Sequence, residues 1–276
     1  METTCVIDIL PENYRVLQES VYSQVGIVLD DNKQYLLEGR LSPLIMQLGL
    51  RSINELCGLL QRADSAEIGH MVAEAMTTNE TYFFREPIHF DAIRTVLLPR
   101  LRVERRDSRR LRFWSAASSS GQEAYSLAML MLEDGFRDWN VHVLGTDFCS
   151  KVVARANAGL YQQLEVNRGL PATLLVKYFQ RCGLSWQIRD AVRAMVRFET
   201  IDLRNSMRTL GPFDLVLCRN VMIYFDTATK RKIMMQIHNT MFRGGWLLLG
   251  SAETTIDLDG LFERRSLGGT TVYVAL

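Results

Sequence analysis

After Pro99 the chain changes character, and that change limits its fold more than any other feature. Five short runs, LRFWSAA, VHVLGTD, MVRFETID, FDLVLCRN and GWLLLGSA, are apolar almost throughout. Segments with helical spacing lie between them, near 121–134, 149–158 and 227–242. A strand with one wet face alternates apolar and polar residues, whereas a run that is apolar on both faces must be covered on both. Such strands separated by helices specify an α/β fold with a mostly parallel sheet layered between helices. The tail LFERRSLGGTTVYVAL differs, because two β-type runs flank Gly268–Gly269. That is a hairpin pattern, so the sheet ends antiparallel. Residues 160–195 interrupt the alternation with YQQLEVNRGLPATLLVKYF and a possible hairpin, FQRCGLSWQIR. They read as an inserted β-subdomain.

Residues 11–76 read as helix alone. NYRVLQESVYSQVG and NKQYLLEGRLSPLIMQLGL repeat apolar residues at spacings of three and four. Asn32 is expected as an N-cap and Gly49 as a C-terminal stop, with Pro43 either kinking the second helix or marking its first turn. SINELCGLLQR and SAEIGHMVAEAM read as two further short helices, each opened by a serine. A small helical domain therefore precedes the α/β domain.

Composition excludes several classes. The 276 residues are 47% hydrophobic and 23% charged, which suits a packed soluble globule. A net charge of +1 gives no global field toward nucleic acid or membrane. No apolar run reaches the ~20 residues of a bilayer span. METTCVIDIL lacks the basic start and cleavable core of a signal peptide, so a cytoplasmic location is expected. The five cysteines (Cys5, Cys57, Cys149, Cys182, Cys218) form no CxxC, and His70, His89, His142 and His238 form no HExxH. Neither a disulfide framework nor a metal site is expected, and Cys218 reads as a buried strand residue. The stretch LPRLRVERRDSRRLRF holds seven arginines. It could be a nucleic-acid patch, but no aromatic residue is interleaved for base stacking. A solvated helix and loop is the preferred reading, and no nucleic-acid partner is expected.

The first apolar run leads into FWSAASSSGQEAYSLAML, residues 113–130. In an open parallel sheet the loop after the first strand carries the ligand. Small residues let the backbone approach it, yet only Gly121 remains of a glycine-rich pattern. A diphosphate would want that tight turn, and Glu123 in the first helical turn would repel it. A carboxylate there suits a positive group such as an amino-acid ammonium. Asp147 ends the second run, where an acidic residue takes ribose hydroxyls. An amino-acid-bearing nucleoside without a diphosphate is S-adenosylmethionine. The plainer alternatives are that Asp147 caps the next helix and that the serines form only a turn.

Two further stretches, TTNETYFFREP (77–87) and PFDLVLCRNVMIYFD (212–226), resemble the chemotaxis receptor methyltransferases, the CheR family. The order of segments agrees over roughly residues 15–276: a helical domain, NxTxFFRE, WSAA…SGQEAYS, a strand ending in Asp, an inserted β-subdomain, CRNVMIYF and a closing hairpin. The resemblance implies methylation of glutamate side chains on receptor cytoplasmic helices, with S-adenosylmethionine as donor. It implies a class I methyltransferase fold with a seven-stranded sheet. It places a helical receptor-recognition domain plus linker at 1–88 and the methyltransferase domain at 89–276, with the subdomain at about 160–195. Carried over, the donor contacts are Asn79, Thr81, Arg85, Glu123, Asp147, Asp202, Leu203, Arg219 and Asn220. The family usually has Asn at the position of Asp202, which puts the adenine-side contact in doubt, and Pro at the position of Ala124.

Transfer to a carboxylate needs alignment and exclusion of water rather than a strong base. Arg85, which could orient a carboxylate, and Tyr224, which could bond the acceptor or face the sulfonium, are the catalytic candidates. Their plainer readings are an ion pair between Arg85 and Glu86 and a core position for Tyr224. Asn79 and Thr81 could be turn formers. Lys33, Arg40 and Arg51 on the N-terminal helices are candidates for guiding acidic receptor helices. Some family members grip a receptor-tail pentapeptide with the subdomain. The turn in YFQRCGLSWQIR is short by comparison, so tether-independent recognition by a monomer is expected. The alternatives are a methyltransferase acting on a small molecule or RNA, and a non-catalytic donor-binding scaffold.

Overall fold

The structure is a computed structural model that describes residues 9–30, 34–207, 209–254 and 260–276. Asn32 lies outside the described residues. The chain forms two compact units, Met1–Thr78 with Tyr224–Thr229, and Asn79–Ile223 with Lys230–Leu276.

The first unit contains α1 (Pro11–Val25), α2 (Tyr35–Gln47), α3 (Ile53–Leu60) and α4 (Ala66–Met76). Leu17, Val21, Leu41, Leu56 and Val72 come from all four helices and are fully buried, so the apolar stripes close on one another. Ser52 caps α3 by accepting from the Glu55 N–H at 3.2 Å. Ser65 stands at the start of α4 without a side-chain cap bond. Gly49 ends α2 in the left-handed region, where the Leu50 N–H reaches back to the Ile45 carbonyl at 3.0 Å. Pro43 sits in the interior of α2 rather than in its first turn. Tyr224–Thr229 joins this unit through the Val28 N–H, which donates to the Tyr224 carbonyl at 2.9 Å. The Tyr22 hydroxyl adds a bond to Asp226 at 2.7 Å.

The second unit opens with α5 (Pro87–Ala92), a π turn (Ile93–Leu97) and α6 (Leu98–Glu104). There follow β1 (Arg110–Ala116), α7 (Gln122–Glu133), β2 (Asn140–Asp147) and α8 (Ser150–Ala158). The insertion holds β3 (Leu160–Gln162), α9 (Gln163–Asn167), α10 (Ala172–Tyr178), β4 (Phe179–Cys182), β5 (Ser185–Ile188) and α11 (Asp190–Arg193). Then come β6 (Val196–Thr200), β7 (Phe213–Cys218), a 3-10 turn (Met222–Tyr224), α12 (Thr227–Asn239) and β8 (Met241–Leu249). A hairpin of β9 (Phe262–Leu267) and β10 (Thr270–Ala275) closes the chain.

Seven strands form one sheet in the order β6-β2-β1-β7-β8-β10-β9. The first five are parallel to one another, β10 runs antiparallel to β8, and β9 runs antiparallel to β10. The separate sheet β3-β5-β4 is the expected subdomain. The strand order runs outward in both directions from β1, which puts the ligand crevice of such sheets beyond its C-terminal end. Residues 122–131 of α7 are all buried, the mark of a helix covered on every side. Phe83 fixes the preceding segment to the subdomain through edge contacts with Tyr161 at 5.1 Å and Phe179 at 5.6 Å.

Candidate functional site

The loop after β1 turns through three left-handed residues, Ala117, Ser119 and Gly121. For the two that are not glycine this conformation costs ~1–2 kcal/mol each, so the surroundings must hold it. They do so by wrapping the loop around the end of β2. The Ser118 N–H donates to the Thr146 carbonyl and the Ser119 N–H to Asp147 Oδ2, both at 2.8 Å. The other Asp147 oxygen accepts from the Cys149 N–H at 3.0 Å. Asp147 is therefore not the cap of α8, whose N-cap is Cys149. It is a carboxylate with its orientation fixed by backbone donors on two loops. The Ser119 hydroxyl also donates to the Asn79 carbonyl at 2.8 Å.

Beside it lies a buried ionic cluster. Ser115, at the end of β1, donates to Glu123 Oε1 at 2.7 Å. Arg219, just past β7, donates from Nη1 to Glu123 Oε2 at 2.7 Å. Its Nη2 donates to the Arg85 carbonyl at 2.5 Å and lies 3.2 Å from Glu86 Oε2. The Arg219 side chain is 1% exposed, and its Nε has no hydrogen-bond partner among the described residues. A charge so removed from water must be paired, and this guanidinium is shared between two carboxylates. Burial works against ionisation of Glu86, but Arg219, Ser251 and Asn220 outweigh it and its pKa is lowered. His89 packs beside the pair, with Nδ1 3.2 Å from Glu86 Oε2 but making no hydrogen bond among the described residues. Burial, then the charge of Arg219, push its pKa down to about 4, against the pull of Glu86. His89 is thus neutral near pH 7. Formally, two carboxylates face one guanidinium, so the cluster carries one net negative charge and Asp147 adds another.

The geometry links Asn79, Asp147, Glu123, Arg219, Asn220 and the Arg85 backbone to the loops at the ends of β1, β2 and β7. Other expected residues lie outside these bonds. The Arg85 side chain donates to the Glu80 carbonyl at 2.8 Å and sits 5.7 Å from the Tyr82 ring centre. The partner of Glu86 is Arg219, not Arg85. Thr81 is half-buried and Leu203 buried. Asp202, where the resembling family has Asn, receives the fork of Arg204, with Nη2 at 2.7 Å, so its charge is balanced locally. Tyr224 packs within the first unit. Cys218 is fully buried in β7, and burial pushes its thiol well above the ordinary range, so it is no nucleophile.

Ser115, Glu86, His89, Ser251 and Glu253 belong to this cluster or border it, and sequence pattern did not single them out. Glu86 stood inside the quoted FFRE stretch. For the others no local spacing gives a signal. Of the candidates on the N-terminal helices, Arg40 donates to the Met76 carbonyl at 2.5 Å and to Thr78 Oγ1 at 2.7 Å, Arg51 is exposed, and Lys33 lies outside the described residues. In the arginine-rich stretch, Arg100 pairs with Glu104, Arg105 with Asp214, Arg106 with Asp107 and Arg109 with Asp138. Arg102 and Arg112 donate to the carbonyls of Asp134 and Gly211. No described helix is long and apolar enough to cross a membrane.

Comparison with known proteins matches residues 12–76 to the family described as CheR methyltransferase, all-alpha domain, and 79–269 to CheR methyltransferase, SAM binding domain. Among curated proteins, chemotaxis protein methyltransferase 1 of Pseudomonas aeruginosa is 39% identical over 272 residues, covering 96% of this chain and 97% of that protein. Chemotaxis protein methyltransferase Cher2 of Pseudomonas putida is 37% identical with the same coverage. The chemotaxis protein methyltransferase of Vibrio parahaemolyticus is 37% identical over 93% of this chain and 94% of that protein.

Proposed function

Since this chain belongs to the CheR methyltransferase family, we propose that it methylates glutamate side chains on the cytoplasmic helices of chemotaxis receptors. It is a methyltransferase, and S-adenosylmethionine is its methyl donor. The donor supplies an electrophilic methyl group on a sulfonium. The observation that carries the reading is the local charge: Glu86, Glu123 and Asp147 against Arg219 favour a ligand of net positive charge over a diphosphate. The loop also fits such a ligand. It is built of small residues, and its buried Ser118 hydroxyl finds no hydrogen-bond partner among the described residues.

In this reading Asp147 accepts the ribose hydroxyls, and the Glu123–Arg219 pair faces the amino-acid end. Asn79, Thr81, Arg85, Asp202, Leu203 and Asn220 complete the donor contacts. A substrate glutamate has a reference pKa of about 4.3 and is already ionised at pH 7, so the chain needs no strong general base. Its task is to align the carboxylate and exclude water. Arg85 orients a carboxylate through its planar fork, and Tyr224 bonds the acceptor or faces the sulfonium with its ring. The acceptor helices place the enzyme in the cytoplasm, acting as a monomer. Lys33, Arg40 and Arg51 remain the proposed guides for acidic helices. Recognition without a pentapeptide tether is supported by the β4–β5 turn, which has only Gly183 and Leu184 between paired Cys182 and Ser185.

The test is transfer from labelled S-adenosylmethionine to receptor-containing membranes, followed by mild alkali. Label on receptors that is released as methanol supports the glutamate ester. Alkali-stable label points to nitrogen or nucleic-acid methylation. Donor binding with no transfer points to a scaffold. Binding of an isolated receptor-tail pentapeptide would contradict tether independence.

A further inference from the structure

The short loop after β8, Gly250–Glu253, carries no sequence motif that the methyltransferase reading uses. Yet it bonds Glu86 of the ionic cluster and the corner that follows Arg219. The Ser251 hydroxyl donates to Glu86 Oε2 at 2.9 Å. Glu253 Oε2 accepts from the Asn220 N–H and the Gly250 N–H, each at 2.7 Å. Its Oε1 accepts from the Met222 N–H at 2.7 Å, with the Ile223 N–H at 3.4 Å. One carboxylate thus gathers four backbone donors from two loops. Three of these belong to the corner that leaves β7, where the chain must turn sharply. Asn220 sits there in the left-handed region, φ 58°, a conformation that needs outside support. The donors in this corner lie outside regular strand pairing, so the carboxylate satisfies groups that would otherwise be orphaned.

The packing beneath is equally tight. A Cβ on Gly250 would fall 2.7 Å from Asn220 Nδ2 and 2.9 Å from Asn220 N. Asn220 Nδ2 in turn donates to Glu86 Oε1 at 3.3 Å. The corner therefore sits between Glu253 on one side and Glu86 on the other, and Arg219 immediately precedes it.

We propose that Glu253 is a positioning residue. Its carboxylate fixes the Arg219–Ile223 corner and so holds Arg219 and Asn220 in the geometry that donor binding needs. This rests on the methyltransferase reading above. Glu253 touches no reacting atom in this scheme; it acts through the backbone of its neighbours.

The experiment uses the full chain with Glu253→Gln, which keeps the shape but replaces one accepting oxygen with an amide that can only donate. Gly250→Ala presses on the same corner from below. Ile237→Val, a buried residue of α12 outside the corner, is the control for lost stability. Amide hydrogen exchange at Asn220 and Met222, calorimetric affinity for S-adenosylhomocysteine, and thermal unfolding are measured on all four proteins. Both corner variants are expected to exchange these amides, and to release the ligand, about tenfold more readily. The control is expected to show neither change at a comparable melting temperature. Unchanged protection at Asn220 and Met222 would overturn the proposal, as would an affinity loss no larger than the control's. If the wild-type protein binds no S-adenosylhomocysteine, the methyltransferase reading fails instead. The exchange data then decide alone whether Glu253 fixes the corner.

Discussion

Arg219 concentrates the electrostatics of the site, because a guanidinium sealed from water leaves two carboxylates dependent on it. Replacing it with Met removes the shared cation and strands Glu86 and Glu123. The expected loss is about 3–5 kcal/mol of stability by urea unfolding. A loss below about 1 kcal/mol would mean that water reaches the carboxylates. His89, pressed against the same pair, gives a second expectation. Its pKa falls from 6.5 to about 4 on folding, so the folded state binds fewer protons than the unfolded chain. Stability is then full above pH ~6.5 and declines as pH falls toward ~4, by about 3 kcal/mol at 1.36 kcal/mol per unit. His89→Phe should flatten that decline in a pH series of urea midpoints, and an unchanged slope would assign the acid sensitivity to other groups. At this scale the sequence was only partly legible. Arg219 and Asn220 were recognisable because they sit in a long unusual motif. Ser115, His89 and Glu253 were not, since each acts on a group brought near by folding, and no local spacing records that.

Among the elements, β2 and β6 meet where Gly145 pairs with Phe198. A Cβ at Gly145 would run into the Phe198 ring, and one at Gly121 would lie 2.7 Å from the same ring. Two glycines, one on a strand and one in the loop after β1, thus make room for one aromatic side chain. Gly145→Ala is expected to cost about 1–3 kcal/mol through overpacking. Adding Phe198→Leu should recover part of that loss in a double-mutant cycle of unfolding free energies, whereas strictly additive costs would show that the two residues do not share this space. The strands themselves were legible, because apolar runs buried on both faces leave a strong pattern and each expected run became a strand. The helix opening at Pro87 is not among the helices expected above, although PIHFDAIRTVLL spaces its apolar residues helically. Pro43 also stands deeper in α2 than a first-turn reading allows, since the helix begins at Tyr35.

The chain as a whole assigns its parts unequally to the two units. The bonded site residues, from Asn79 to Asn220, belong to the second unit, while Tyr224 and the candidate receptor-guiding arginines belong to the first. Tyr224 reaches that unit by an excursion of only six residues, anchored by Val28 and by the bridge between Ile27 and Phe225. A long-range excursion of this kind leaves no trace in spacing, which is why the apolar VMIYF reads equally well as a core position for Tyr224. It also suggests a division of labour that can be measured. Leu56→Ala empties a fully buried position in α3 and should weaken the first unit by about 2–5 kcal/mol. If donor binding resides in the second unit alone, calorimetric affinity for S-adenosylhomocysteine should stay within about twofold of the wild type, under ~0.5 kcal/mol. Methyl transfer to receptor membranes should fall by at least about tenfold near the melting temperature of the weakened unit, if the proposed roles of Tyr224 and of Arg40 and Arg51 hold, because both lie in that unit. A parallel fall in donor affinity would mean that donor binding does not reside in the second unit alone.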